Sequence, residues 1–326
     1  MTPTRTPSDP TTDARRPFLI LVISVEHYLN EPLVALARRE HGDGAEIVAV
    51  RANRHLDKRF VLRLFFWLLP FRLRAIYTPS DLGGRLVRLL VDLAALRGVP
   101  VYVVPAHNHV WHRDRRVVPW LRYIDLSVPR VVGGFARRSR IIVNDEPMRR
   151  FFESLGYNPG RLVMKPGWIE SIYHQPRAAE LPVVFFTEVL QELDTGLRDK
   201  VLAQVRALLD TGALDGLHVK LHPREPADVA ARYHEVLGSH PAVTFIDPSR
   251  RSIDVINGTH VVMACLSTVL LEALWLKRNI IVLDNPFYRG SLLGCYLEQE
   301  TFFVLGDETP PDEVRTYCKS VFDGAR

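Results

Sequence analysis

The sequence predicts a doubly wound α/β protein built around parallel sheets. Three observations lead there: short runs rich in Val and Ile recur along the chain, they are continuously apolar rather than alternating, and helix-length segments separate them. Strands covered by helices on both faces have this pattern. With 326 residues, 47% hydrophobic and 24% charged, the chain is long enough for two such domains and has the composition of a packed protein.

Taken in order, residues 1–16 are dominated by Thr, Pro, Asp and Arg, contain nothing to bury and read as a disordered leader. The apolar run 17–25 follows Arg15 and Arg16 but is short and lacks a small-residue cleavage site, so it reads as a first strand and not as a signal peptide. FLILVISV (18–25), AEIVAV (45–50), VPVYVV (99–104) and RIIV (140–143) supply the strands of a first domain over 17–172. Asn144 and Asp145 then offer a cap to the helix MRRFFESLG, which Gly156 can end. A linker over 173–182, with Pro176 and Pro182 and no apolar period, separates the domains. PVVFF (182–186), LHVKL (217–221), AVTFI (242–246), HVVMAC (260–265) and NIIVL (279–283) build the second, over 183–326, whose last helix can pack back on the first.

One stretch departs from this plan. FVLRLFFWLLPFRLRAIY (60–77) is apolar but interrupted by Arg63, Arg72 and Arg74 and broken by Pro70, too short and charged to span a bilayer. It reads either as a helix buried against the sheet or as an aromatic and basic segment lying on an anionic membrane surface. Charge is also unevenly spread. Residues 1–170 hold 27 Lys and Arg against 16 Asp and Glu, and the remainder 15 against 21. A basic first half suits an anionic partner or simply a solvated Arg-rich surface, and no nucleic-acid-binding motif is present. Cys265, Cys295 and Cys318 are odd in number and widely spaced, which indicates neither a disulfide framework nor a zinc site and suits a reducing cytoplasm.

In doubly wound sheets ligands bind beyond the carboxyl ends of the strands. Two strand ends carry chemistry. His222, in LHPRE (221–225), precedes a proline that keeps it out of the helical region, and its imidazole can hydrogen-bond a phosphate oxygen. The alternative is a plain turn histidine. Ser267 and Thr268, in CLSTVLLEAL (265–274), stand where a helix begins, so their hydroxyls and the backbone N–H groups of its first turn offer an anion site. Glu272 lies five residues beyond Ser267, within reach of a ribose. The alternative is an ordinary N-cap with a surface glutamate. Thr187 and Glu188 end PVVFF, and Asp284, Asn285 and Arg289 follow NIIVL.

The passages VKLHPREPADVAARY (219–233) and IDVINGTHVVMACLSTVLLEALWLKRNIIVL (253–283) resemble the HP and Ser/Thr motifs of bacterial sialyltransferases, polysialyltransferases and capsule transferases that use CMP-sugars. They are similar as well to the CDP-glycerol and CDP-ribitol phosphotransferases. SRIIVNDEPMRRFFESLGYNPGRLVMKPG (139–167) resembles the end of the first domain of such proteins, and the likeness covers roughly residues 139–284. It implies a glycosyltransferase B fold, two doubly wound domains facing a cleft, and inverting transfer without metal or other cofactor from a cytidine-linked donor. By the resemblance His222 contacts the donor phosphate, Ser267 and Thr268 bind it, and Glu272 holds the ribose; Thr187, after the first strand of the second domain, is a further phosphate-binding candidate from its position alone.

A general base is then expected from the first domain. Glu26 and His27 follow the first strand, and His107, His109 and His112 follow VPVYVV; the histidines also read as a metal site or a polar cap on the sheet. The acidic motif from which sialyltransferases draw their base has no match beyond Asp43-Gly44, which precedes a strand. The expected enzyme moves an acidic sugar, of sialic acid or Kdo type, to a surface glycan or glycolipid at the inner face of the membrane. The alternatives are polyol-phosphate transfer, a UDP-sugar epimerase on the same fold, and a nucleotide-binding module without turnover.

Overall fold

The computed structural model describes residues 18–24, 30–42, 44–51, 73–78, 94, 97–105, 140–154, 158–168, 181–188, 195–223, 225–285, 291–296 and 302–324. Its strands form two six-stranded sheets, and the pairings within them are parallel. The first takes β1 (Phe18–Ser24), β2 (Ala45–Arg51), β3 (Leu73–Thr78), β4 (Val101–Val103), β5 (Arg140–Val143) and β6 (Leu162–Met164), in the order β2-β1-β3-β4-β5-β6. The second takes β7 (Leu181–Phe186), β8 (Leu217–Lys220), β9 (Val243–Phe245), β10 (Thr259–Ala264), β11 (Asn279–Leu283) and β12 (Phe302–Leu305), in the order β12-β11-β10-β7-β8-β9. Sheet membership changes between Met164 and Leu181, while by compactness the chain divides into residues 1–102 and 103–326.

The helices are α1 (Asn30–His41), α2 (Glu146–Ser154), α3 (Thr195–Asp210), α4 (Ala227–Leu237), α5 (Ser252–Asn257), α6 (Thr268–Trp275) and α7 (Pro311–Gly324). Asp145 caps α2 as its sequence suggests, its Oδ1 accepting the Met148 N–H at 3.0 Å; Gly156 lies outside the described residues. In α3 the apolar residues Val201, Leu202, Val205, Leu208 and Leu209 form one buried stripe at helical spacing. Gly212, at φ +65, ends that helix in a left-handed turn with the Ala213 N–H bonded back to Leu208.

The second sheet is the larger core. Val183, Val184, Phe185 and Phe186 of β7, Val261–Ala264 of β10 and Ile280–Leu283 of β11 are each at most 3% exposed, the continuous burial that the unbroken apolar runs foretold. Counted from β7, its strands lie third, second, first, fourth, fifth, sixth across the sheet. Successive crossovers therefore leave in opposite directions on the two sides of the β7–β10 pair, which makes that pair the topological switch point.

One expectation changes. The stretch 60–77 is not one interfacial or helical segment: its C-terminal end is β3, with Leu73, Ala75, Ile76 and Tyr77 buried, because these residues pair in parallel with β1. Residues 60–72 lie outside the described residues, as do the leader and most of the linker. Short runs at β6 and β12, which the sequence reading did not include, complete the two sheets. The last helix makes its described contacts with the second sheet: Tyr317 Oη accepts the Ile280 N–H at 3.2 Å and donates to the Ile280 carbonyl at 3.3 Å, and Arg315 donates to the carbonyls of Thr211 and Gly212. Among the described residues no helix is long and apolar enough to cross a membrane.

Ile281, wholly buried in β11, tests this packing. Ile281→Ala is expected to cost about 2–5 kcal/mol through lost transfer energy and the cavity left behind. Urea unfolding of the two proteins measures it, and a cost well under about 1 kcal/mol contradicts the burial.

Candidate functional site

At the switch point four strand ends are tied together by side chains. Thr187, the first residue after β7, is 2% exposed; its N–H bonds the Lys220 carbonyl at 3.0 Å, and its Oγ1 accepts the His222 N–H at 2.9 Å. The dipeptide His222-Pro223 is thereby fixed at the end of β8, and the imidazole sits on a half-buried residue there. The next residue, Glu188, is 9% exposed and turns toward β10. Its Oε1 accepts the N–H groups of Cys265, Leu266 and Ser267 at 2.9, 2.6 and 2.7 Å. On the far side of β10, Asn285 Nδ2 donates to the Cys265 carbonyl at 2.9 Å and to that of Leu283 at 3.0 Å. Thus β7, β8, β10 and β11 are cross-linked at their carboxyl ends.

This bracing sets the start of α6. Ser267 is its N-cap, with Oγ accepting the Val269 N–H at 3.4 Å, and the Leu270 N–H bonds the Ser267 carbonyl at 3.1 Å. Thr268 and Glu272, four residues apart, share one face of the helix, and both are half-buried. Val269, Leu270, Leu271, Ala273 and Trp275 bury the remainder. The sequence offers the amides of the first turn of this helix to an anion; those of 265–267, just before it, serve Glu188.

Two carboxyl groups here are electrostatically unusual. Burial pushes Glu188 up to about 7, outweighing the three amide donors that favour its charged form, and the like charge of Glu225 adds to the rise. Desolvation alone raises Glu272 to about 7. Lys220, buried with Nζ on the Pro248 carbonyl at 2.9 Å, is lowered by desolvation. Burial also raises the Cys265 thiol, consistent with a packed residue and not a nucleophile.

The structure thus places Thr187, His222, Ser267 and Thr268 just beyond the carboxyl ends of neighbouring strands of one sheet, with Glu272 one turn further along α6. Glu26, His27, His107, His109 and His112 lie outside the described residues, as does Arg289. Among the described residues no group of three or more His, Cys, Asp or Glu is arranged to hold a metal ion. The roles of Glu188 and Asn285 as braces escaped the sequence reading. Their signal was a charged and an amide side chain placed directly after wholly apolar strands, where a buried polar group must find partners.

No protein-family profile matches the chain, and no curated protein matches its sequence. Solved structures do match it in shape. The S. aureus MnaA–UDP co-structure has a TM-score of 0.62 at 13% identity over 94% of this chain and 88% of the other. A Neisseria meningitidis UDP-GlcNAc 2-epimerase bound to UDP-GlcNAc gives 0.61 at 11% over 94% and 91%. A Rickettsia africae glycosyltransferase gives 0.55 at 10% over 94% and 90%. The fold is glycosyltransferase B. At these identities the likeness concerns the fold alone.

The Glu188 carboxyl makes stability depend on pH. Its unfolded value is near 4.5 and its folded value about 7, so folding takes up a proton between them. This contribution is fully present below about pH 4.5 and is lost as pH rises toward 7, a fall of roughly 3 kcal/mol. In Glu188→Gln the fall attributable to this group should vanish, and thermal midpoints across that window check it. An unchanged slope in the variant refutes the assignment.

Proposed function

We propose that the chain is an inverting glycosyltransferase that moves an acidic sugar, of sialic acid or Kdo type, from a CMP-sugar to a surface glycan or glycolipid. The observation that supports the reading is the placement of His222 and of Ser267 and Thr268 just beyond the carboxyl ends of β8 and β10, the two strands that flank β7, and these are the residues through which the sequence resembles the CMP-sugar transferases. In this reading the donor phosphate lies at the start of α6, where Ser267 and Thr268 present hydroxyls and the helix end favours negative charge. As the bond between the anomeric carbon and the phosphate oxygen breaks, charge accumulates on the departing nucleotide, and the His222 imidazole donates a hydrogen bond to it. Glu272, on the same face as Thr268, accepts from the ribose hydroxyls. The acceptor hydroxyl yields its proton to a base from the first domain, for which Glu26, His27, His107 and His109 are the candidates. No metal enters the scheme, as the resemblance implies. The enzyme works in the cytoplasm, with its acceptor at the inner face of the membrane.

A second reading, a UDP-sugar enzyme such as an epimerase, is favoured by the ligands of two structural neighbours, UDP and UDP-GlcNAc. It places the same strand ends around a uridine nucleotide.

Thermal midpoints with CMP, CDP and UDP separate the two, because a ligand that binds only the native state raises the midpoint. A rise with CMP that disappears in His222→Ala and in Ser267→Ala/Thr268→Ala supports cytidine-linked transfer at this site, with CMP-sialic acid and CMP-Kdo the donors to assay next. A rise with UDP alone moves the assignment to the second reading, and no rise with any of the three removes both.

A further inference from the structure

Among the described residues Glu188 and Lys220 are the two buried charged side chains. The Lys220 ammonium is directed to the Pro248 carbonyl. Glu188 has backbone amides as its partners, and Glu225, the charged side chain that acts on it, has the same sign. The three amides converge on one oxygen at 2.6–2.9 Å, the arrangement by which proteins hold a phosphate or other oxyanion. The cradle before α6 is therefore built for an anion and already contains one, supplied by the chain itself.

This constrains what else the site can take. The phosphodiester of a nucleoside-monophosphate sugar carries one negative charge, which His222 and the hydroxyls of Ser267 and Thr268 can meet. A diphosphate carries a second charged phosphoryl group, which would find the amides of 265–267 occupied and a carboxylate of like charge beside them. We propose that Glu188 is a specificity-determining residue, which fills the amide cradle so that the site accepts the single phosphate of a nucleoside-monophosphate sugar and rejects the diphosphate of an NDP-sugar. The inference rests on the nucleotide-sugar reading above and adds the class of donor to it.

The test is calorimetric binding of CMP and CDP, with UMP and UDP in parallel, to wild type, Glu188→Gln and Glu188→Ala at about pH 8, where the carboxyl is ionised. Wild type should bind the monophosphate about tenfold or more tightly than the diphosphate of the same base, since juxtaposed like charges disfavour the latter. Glu188→Ala should erase or reverse that preference, and Glu188→Gln, which removes the charge but keeps an acceptor, should narrow it. A formate titration followed by thermal midpoint accompanies the binding: formate should stabilise Glu188→Ala, whose three amides stand open, and leave wild type unmoved. Equal binding of mono- and diphosphate by wild type overturns the inference, as does a preference unchanged in both variants; either result leaves the nucleotide site intact. Absence of binding by every nucleotide, with formate still stabilising Glu188→Ala, removes the nucleotide-sugar reading and this inference with it.

Discussion

Where a parallel sheet reverses its strand order, two adjacent strands send their chains away in opposite directions, and the amides just beyond them lose the ladder that satisfied them. In the second sheet those amides belong to Cys265, Leu266 and Ser267, and Cys265 and Leu266 are buried residues. Glu188 answers this with one carboxylate oxygen and joins β7 to β10 in doing so. The placement of the Ser267 cap follows, because the chain enters α6 from a backbone already fixed. Thr187, its neighbour, fixes His222 by the same economy of one side chain and one loop. The dipeptide after β7 therefore orients both loops that carry the candidate chemistry.

Such bracing has an electrostatic cost that ordinary strand ends avoid. Among the described residues this buried carboxyl is stabilised by neutral backbone donors, and burial still shifts it toward its protonated form. A serine or asparagine could satisfy one or two amides without that cost; Asn285 does so on the other flank of β10. The choice of a charged group at the centre of the crevice suits a site whose electrostatics matter, and it separates the sheet's framework from the residues left to meet a ligand.

Much of the architecture was legible because burial on both faces of a parallel strand imposes an unbroken apolar run. VVFF, VVMA and IIVL could be read directly, and so could the helix-length gaps between them. The strand LRAIYT at 73–78 was hidden inside a longer apolar and basic stretch whose arginines suggested a membrane surface; its pairing with β1, a contact distant in sequence, decides its state. LVM at 162–164 is shorter than any pattern can resolve, and FFVL at 302–305, no longer than the RIIV that was read, went unread. At the site, His222, Ser267 and Thr268 were legible from local grammar, a histidine before proline and hydroxyls at a helix start. The function of Glu188 was not, since a glutamate after a strand looks the same in sequence whether it faces solvent or reaches a loop 77 residues further on.

That separation along the chain also governs how the domain comes together. When β7 and β8 first pair, the carboxyl of Glu188 has no amides to receive it and remains hydrated, because β10 lies beyond two further helices and a strand. Closure over so long an interval is slow compared with the formation of α3 or α4. The Thr187 contact can hold His222 as soon as β7 and β8 pair, whereas the Glu188 brace that fixes the backbone at Ser267 forms only once β10 has joined the sheet.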